Sequence, residues 1–408
     1  MRFKEIATLI LAAHIWFHSD FGIDSALGIQ YSSFCQSLVV VIIHAHSQPV
    51  LDSGNYLPGT VMAPQGTDFR LTVLNPAGRD PEQHFDELSE PGGGQHPPIN
   101  FHAYAACSRG AFHYDVRRAI AEGTPVLLLL RGEFRASERA LDELKKQRCK
   151  IVVSLKETGL HQIAQQLCDR GRLWRFMKIL ARADGCIATT PEAAEIYRRT
   201  RRGHDPSTVA FIPTPYPLED LRWNFSLPPG ERSGIFIGTR EWDVPSRNHF
   251  AALLVARQLC ETTGEPVTVV NLDGYKARRL LWELKFPEEK LRVIEDEKPY
   301  PDYLREVARH KIVLQLDRSH VPGQVAGDAV LCRTPCVGGD GAIERIAFPK
   351  TSGEGRTVDE ITSIALDLLK SAESRALIVA ESQELALEAI SFQAVRLRLA
   401  NFFAQLSV

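Results

Sequence analysis

The stretch from residue 311 to residue 346 constrains the fold of this chain more than any other, because it carries the signals of strand, loop, helix, strand and loop in close succession. It opens with the mostly apolar run 312–316, which has the length of a strand, and a proline and a glycine then break the pattern. Helix-forming residues follow from Gly323, and 334–337 predicts a second strand. Strands that alternate with helices in this way predict a doubly wound α/β sheet.

The start of the helix predicted from Gly323 is suited to binding phosphate. The first backbone N–H groups of a helix lack partners within the helix, and the helix dipole places partial positive charge there. Gly323 and Gln324 would present these groups to the preceding loop. The glycines of the loop 338–341 would let a backbone approach a ligand closely. The pattern predicts a nucleotide site at this edge of the sheet.

The second half of this stretch resembles the donor-sugar site of GT-B glycosyltransferases, in particular the retaining family 4. In that family a Glu, seven residues and a second Glu precede Ala-Met-Ala-Cys-Gly-Thr-Pro-Val-Val, and here Asp328 precedes Ala-Val-Leu-Cys-Arg-Thr-Pro-Cys-Val. The resemblance implies that Asp328 accepts hydrogen bonds from the donor ribose. It places His320 at the catalytic position of the first Glu, and Arg333 replaces the family's glycine.

Two arginines further upstream extend the predicted donor site. A buried strand and a glycine turn precede Arg240 and Arg247, and an apolar helix follows them. In the family a Gly-Arg … Lys-Gly pair contacts the donor diphosphate, so the resemblance implies this role for both arginines. A guanidinium stays charged and can donate two hydrogen bonds to phosphate oxygens. Surface arginines in a loop are the alternative.

The acceptor side of the predicted site lies earlier in the chain. The segment 99–132 predicts a strand that ends at His102, a helix through Ile120 and a buried strand at 126–130. It resembles the family's Val-His-Ala-His … Gly-Xaa-Pro-Val-Val region, which implies a catalytic position for His102; a loop histidine with satisfied hydrogen bonds is the alternative. Lys156 and Glu157 follow another predicted strand, at 150–155, where open α/β sheets bind ligands, although a solvent-facing ion pair is the favoured alternative.

Residues 182–190 resemble the family signature Arg-Ala-Asp-Xaa-Ile-Ile-Xaa-Xaa-Ser, with a threonine in place of the serine. Thr190 precedes Pro-Glu, and a hydroxyl in this position caps the exposed N–H groups of a helix. We therefore predict a capping role for Thr190.

The resemblance implies an α/β fold of GT-B architecture, in which two Rossmann-like doubly wound domains face each other across a cleft. The predicted divisions are an atypical extension at 1–36, an acceptor domain at 37–225 that opens with a strand at 38–43, a donor domain at 226–385, and a C-terminal helix at 386–408 that crosses back. Residues 1–36 contain basic residues and an apolar run, and this run is too short to span a bilayer. A surface helix, a segment that touches the membrane and a translated upstream extension all stay open.

Composition limits the classes of partner. A net charge of −2 gives no electrostatic case for nucleic acid binding. The 8 cysteines include no Cys-Xaa-Xaa-Cys pair, so free thiols in a reducing compartment are expected rather than a zinc site. We expect a cytoplasmic protein, with peripheral contact at the inner face of the membrane as a further option.

The residues and the resemblance together predict a glycosyltransferase. It would move a sugar from a nucleotide-diphosphate donor to a hydroxyl of a glycan, a lipid-linked acceptor or a small molecule. The resemblance implies retention of configuration without a metal or other cofactor, and no Asp-Xaa-Asp motif stands at a strand end. Two alternatives stay open: a non-catalytic GT-B protein that binds a nucleotide sugar or a partner, which His320 and Arg333 favour, and a sugar-nucleotide epimerase.

Overall fold

The computed structural model describes residues 68–76, 78–86, 90–238, 241–242 and 244–406. The extension predicted at 1–36 and the strand predicted at 38–43 lie outside these residues. The described chain forms two separate sheets, one of seven strands and one of five.

The N-terminal sheet is parallel except for one short edge strand. Its strands are β1 (Thr72–Leu74), β2 (Gln83–His84), β3 (Ala111–His113), β4 (Val126–Leu130), β5 (Ile151–Leu155), β6 (Gly185–Ala188) and β7 (Val209–Phe211). Their order is β2-β3-β1-β4-β5-β6-β7, and only β2 pairs antiparallel among these strands. Every residue of β4 and β5 is buried, because helices cover both faces of the sheet.

Six helices connect the described strands of this sheet: α1 (Asn100–Cys107), α2 (Val116–Ala121), α3 (Arg135–Lys146), α4 (Leu160–Leu167), α5 (Arg170–Arg182) and α6 (Pro191–Thr200). They separate its core into two layers. On one face the strand residue Leu128 packs with Phe176 of α5, and on the other Leu127 packs with Tyr104 of α1. Thr190 caps α6 as predicted, since its hydroxyl accepts a hydrogen bond of 3.1 Å from the backbone of Ala193.

The C-terminal sheet is wholly parallel. Its strands are β8 (Ile235–Ile237), β9 (Val267–Val270), β10 (Leu291–Ile294), β11 (Ile312–Leu314) and β12 (Cys336–Val337), in the order β10-β9-β8-β11-β12. Its helices are α7 (His249–Thr263), α8 (Tyr275–Glu283), α9 (Tyr300–Ala308), α10 (Gln324–Leu331), α11 (Ala342–Ala347), α12 (Val358–Lys370) and α13 (Ala372–Ile390). Strand order reverses direction between β8 and β11, which is where sheets of this kind bind ligands.

The chain crosses between the two sheets twice at one place. The backbone N–H of Tyr216, beyond β7, donates a hydrogen bond of 2.7 Å to the carbonyl of Ile390 at the end of α13. A last helix, α14 (Phe392–Gln405), then returns to the N-terminal sheet. Its buried residues Val395, Leu399 and Phe402 belong to the same core layer as β1 and β3.

Two predictions of local structure were wrong. His102 lies inside α1 rather than at the end of a strand, and the strand β3 separates α1 from α2 where one helix was predicted. The helix predicted at 386–408 is interrupted at Ser391, whose hydroxyl caps α14, just as that of Ser371 caps α13. The strands predicted at 126–130 and directly before Lys156 are confirmed.

None of the described helices is both long enough and apolar enough to cross a bilayer.

Replacing one buried leucine of α14 should test how strongly this helix is held. Leu399 is 0 % exposed, so Leu399→Ala should lower the free energy of unfolding by about 2–5 kcal/mol through lost burial and a residual cavity. Leu397 lies two residues away on the same helix and is 42 % exposed, so Leu397→Ala is the matched control and should change it by less than about 0.5 kcal/mol. Urea unfolding measures both variants, and equal losses would contradict this packing.

Candidate functional site

The candidate site is built from two loops at the carboxyl edge of the C-terminal sheet. One loop follows β11 and the other follows β12, and they are bonded to each other. The backbone N–H of Asp340 donates to the carbonyl of Asp317 over 3.0 Å, and that of Ala342 donates to Val321 over 2.8 Å. Gly338 permits the close packing, since its φ is +77° and a Cβ there would lie 1.9 Å from the carbonyl of Gln315. The first loop holds His320 and ends at Gly323, directly before α10 begins.

Arg247 enters this edge from a short turn before α7. Its guanidinium pairs with the carboxylates of Asp317 and Glu241. The Asp317 side chain is 3 % exposed, and its second oxygen accepts a 2.7 Å hydrogen bond from the backbone of Ser319. Glu241 is 41 % exposed, so it is the more easily displaced partner. Arg240 lies outside the described residues, and its predicted diphosphate role stays a prediction.

Four side chains form a charged cluster that joins the two domains, which we call the cleft network: Glu192, His320, Asp340 and Arg345. Arg345 donates to both oxygens of Glu192 over 2.7 and 3.0 Å. The His320 imidazole lies 3.6 Å from Glu192 and 3.4 Å from Asp340, and its backbone N–H donates to Asp340 over 3.0 Å. Burial raises the pKa of the Asp340 carboxyl to about 6, although His320 counteracts this effect.

Sequence reasoning identified His320 but not the other three members of the cleft network. Glu192 belongs to the Thr-Pro-Glu segment that was interpreted only as a helix cap. Asp340 directly follows the glycines after β12, a strand-end position that could have marked it. Arg345 carried no separate signal.

Glu344 is buried beside the start of α10. One of its oxygens accepts a 2.5 Å hydrogen bond from the Gln315 amide, and the other has no hydrogen-bond partner. A Cβ on Gly323 would lie 2.2 Å from this second oxygen, so only glycine fits there, where φ is +92°. Burial raises the pKa of Glu344 to about 8, so the carboxyl is mostly protonated at neutral pH and can donate a hydrogen bond.

Asp328 lies on α10 and is 1 % exposed. It accepts a 2.5 Å hydrogen bond from the hydroxyl of Tyr300. The Tyr216 hydroxyl donates over 3.3 Å to the carbonyl of Gln324, in the first turn of the same helix. Gly323 and Gln324 therefore lie at the helix start as predicted, whereas Asp328 lies one turn further along the helix and contacts Tyr300.

The predicted acceptor side corresponds to the carboxyl edge of the N-terminal sheet. Lys156, beyond β5, pairs with Asp80 over 3.0 Å, and Arg131, beyond β4, lies 3.6 Å from Glu157. The alternative of an ion pair between Lys156 and Glu157 is wrong, since each residue pairs with another partner. Lys156 is only 17 % exposed, which excludes a purely solvent-facing pair for this lysine.

His102 is buried behind that edge. Its ring stacks on Phe112, with centroids 3.7 Å apart, and on His96, at 3.9 Å. Its Nε2 lies 3.0 Å from the carbonyl of Pro81, which follows Asp80. Burial lowers the pKa of His102 to about 3, so the ring is neutral at pH 7. The structure does not bring His102 together with His320, and a catalytic role for it stays a prediction.

Comparisons with solved structures show the fold of this chain. The sucrose-phosphate synthase of Thermosynechococcus elongatus aligns with a TM-score of 0.53 and 17% identity, over 71% of this chain and 75% of that one. A trehalose-6-phosphate protein from E. coli, bound to UDP-2-fluoro-glucose, aligns with a TM-score of 0.54 and 13% identity, over 70% and 74%. A trehalose-6-phosphate synthase used to study glycosyl transfer with retention aligns with 0.54 and 12%, over 72% and 77%.

The chain therefore has the GT-B architecture, with two Rossmann-like doubly wound domains, and the predicted fold class is confirmed. At these identities the likeness shows the fold alone. No protein-family model and no curated protein matches the sequence, so membership of family 4 stays a prediction.

Glu344 should make stability depend on pH in a defined direction. Its pKa is about 8 in the fold against an ordinary 4.5, so the folded state holds a proton that the unfolded chain loses, and this group lowers stability as pH rises between these values. Glu344→Gln keeps the acceptor for Gln315 and removes the titration. The variant should gain on the order of a few kcal/mol relative to wild type between pH 5 and pH 8.

Urea unfolding of both proteins at the two pH values measures this difference. Glu388→Gln, on an exposed position of α13, is the matched control and should follow wild type. Parallel loss of stability in wild type and Glu344→Gln would contradict a protonated Glu344.

Proposed function

We propose that this protein is a glycosyltransferase that moves a sugar from a nucleotide-diphosphate donor to an acceptor hydroxyl, with retention and without a metal ion. The observation that carries the proposal is the position of Arg247, His320 and the α10 start on one carboxyl edge of a GT-B fold. These residues were identified from sequence by their resemblance to a donor site. One of the similar solved structures is bound to a UDP-sugar analogue, and another was studied for glycosyl transfer with retention.

The charges of the site are compatible with an anionic donor. A diphosphate would be repelled by free carboxylates, but Asp317 is paired with Arg247 and Glu192 is paired with Arg345. Glu344 is mostly protonated and has a free oxygen directed at Gly323, so it can donate to a phosphate oxygen at the helix start. Because these acids are neutralised, the partial positive charge at the start of α10 can attract phosphate.

Arg247 would bind the diphosphate by exchanging one partner. Asp317 is buried and held by the backbone, so it keeps the guanidinium in place. The exposed Glu241 occupies the outer side of the guanidinium, and phosphate oxygens would replace it there. As the bond to the sugar breaks, negative charge grows on the leaving diphosphate, and a preorganised arginine stabilises that charge.

His320 fits its surroundings better than the glutamate of family 4 would. Asp340 and Glu192 lie 3.4 and 3.6 Å from its ring nitrogens, so a third carboxylate here would be repelled by two others. An imidazole can instead donate to a hydroxyl of the donor sugar. We therefore interpret His320 as part of a working site with a different charge pattern.

The acceptor would lie against the N-terminal edge. Lys156 and Asp80 form a half-buried pair there, and Arg131 and Glu157 form a more exposed one. Pairs of donors and acceptors of this kind suit a polyhydroxylated acceptor, and holding the two substrates together lowers the entropic part of the barrier. His102 would not contact the acceptor; its bond to the carbonyl of Pro81 would position the loop that carries Asp80.

One observation favours the non-catalytic alternative. The two domains are bonded across the cleft, because the backbone N–H of Leu160 donates over 2.9 Å to the carbonyl of Ser319 and Glu192 pairs with Arg345. A protein that only binds a nucleotide sugar or a partner could keep these contacts permanently. A transferase must open them to admit the acceptor.

A screen of thermal stability against UDP, GDP, ADP and their sugar conjugates tests the donor site. A ligand at 100 times its dissociation constant should add about 2.7 kcal/mol to the free energy of unfolding. Glu241→Gln should tighten binding several-fold, because it frees the outer side of Arg247. Asp328→Asn keeps an acceptor for Tyr300 and should weaken binding if Asp328 holds the ribose.

Asp367→Asn, on the exposed face of α12, is the matched control and should bind like wild type. Binding followed by release of free nucleotide in the presence of acceptors supports the transferase. Binding without turnover would favour the non-catalytic reading, and no stabilisation by any nucleotide would contradict both.

A further inference from the structure

Three side chains at the β2–β3 end of the N-terminal sheet form a further cluster. His84 lies on β2, His113 ends β3, and Glu122 follows α2. One ligand atom from each lies within 4.8 Å of the other two. We call this cluster the edge triad.

The topology of the sheet brings the two histidines together. His84 pairs directly with Ala111 across the antiparallel strands, and His113 lies two residues further along β3. Residues at i and j+2 of neighbouring strands lie on the same face, within reach of large side chains. The rings meet edge to face, with centroids 5.3 Å apart.

The distances in the edge triad are close to those of a metal site. The Glu122 carboxylate oxygen lies 2.9 Å from Nε2 of His113 and 3.6 Å from Nε2 of His84. Tetrahedral zinc, with bonds of about 2.0–2.2 Å to nitrogen and oxygen, places its ligand atoms about 3.3–3.5 Å apart. Only small shifts of the exposed His84 ring would be needed to enclose an ion.

The surroundings of His113 supply the second argument. Its ring is 3 % exposed, and its Nδ1 has no hydrogen-bond partner although Glu82 lies 3.7 Å away. Glu82 is itself fixed, because it accepts from Arg118 over 2.5 Å and from the backbone of Tyr114 over 3.0 Å. A histidine that binds metal through Nε2 carries its proton on Nδ1 and commonly donates it to a carboxylate. Metal binding would therefore satisfy a buried nitrogen that otherwise lacks a partner.

We propose that His84, His113 and Glu122 bind a divalent transition metal of the Zn²⁺ class, with Glu82 orienting His113. Two imidazoles and one carboxylate suit zinc, and three protein ligands leave a fourth position for water. The His84 side chain is 57 % exposed and that of Glu122 is 26 % exposed, so the ion can enter from solvent. The bound ion clamps the short strand β2 and the end of α2 onto β3.

Zinc binding to the full-length, metal-free protein tests the proposal. Competition with a chromogenic zinc chelator should give one tight site per chain. Co²⁺ in its place should show the intense visible absorption of a tetrahedral ion. His84→Ala and Glu122→Gln should each weaken zinc binding by more than about tenfold. Even the loss of a residue that only hydrogen-bonds to a metal ligand typically lowers metal affinity by about 10–100-fold.

His204→Ala removes an exposed histidine elsewhere on the same domain and should bind zinc like wild type. The metal-free variants should unfold at the same urea concentration as the metal-free wild type, because the two substituted groups are partly exposed. The proposal is overturned if wild type binds no zinc, or if both His84→Ala and Glu122→Gln bind it as tightly as wild type.

Discussion

The relative position of the two domains depends on the double crossing of the chain at Tyr216 and Ile390. One backbone hydrogen bond of 2.7 Å joins the two passages, and α14 then carries the chain back into the N-terminal core. The carboxyl edges of the two sheets face each other, since Leu160 and Glu192 of one edge bond to Ser319 and Arg345 of the other. Ligand sites of parallel sheets lie at those edges, so this connection creates the cleft in which a donor and an acceptor could meet.

Within the cleft, the arrangement of charge decides which ligands fit. Carboxylates outnumber cations there, yet Asp317, Glu192 and Glu344 are each neutralised by an arginine or by a retained proton. One of these pairs also holds the domains together, since Glu192 and Arg345 come from different domains. A nucleotide that displaces the exposed Glu241 would leave the buried pair of Arg247 and Asp317 in place.

The sequence was sufficient for the fold class, because continuous apolar strands alternating with helices have few other solutions. It failed at α1, where His102 sits in a buried helix of small residues that carries no amphipathic pattern. It also missed contacts between distant segments. The bond between Glu192 and Arg345 and the edge triad depend on how strands and domains are placed, and no local pattern encodes that. His320 was found only because a motif marked its position.

Hydrogen–deuterium exchange tests the central claim most directly, because it locates a bound nucleotide on the chain. If the cleft binds a nucleotide-diphosphate sugar, the ligand that stabilises the protein should slow exchange in 317–328 and 338–345. Exchange near Arg247 should slow as well, while β2 and α2 should be unaffected. Protection confined to other parts of the chain, or none at all with any nucleotide sugar at saturating concentration, would contradict the proposed donor site.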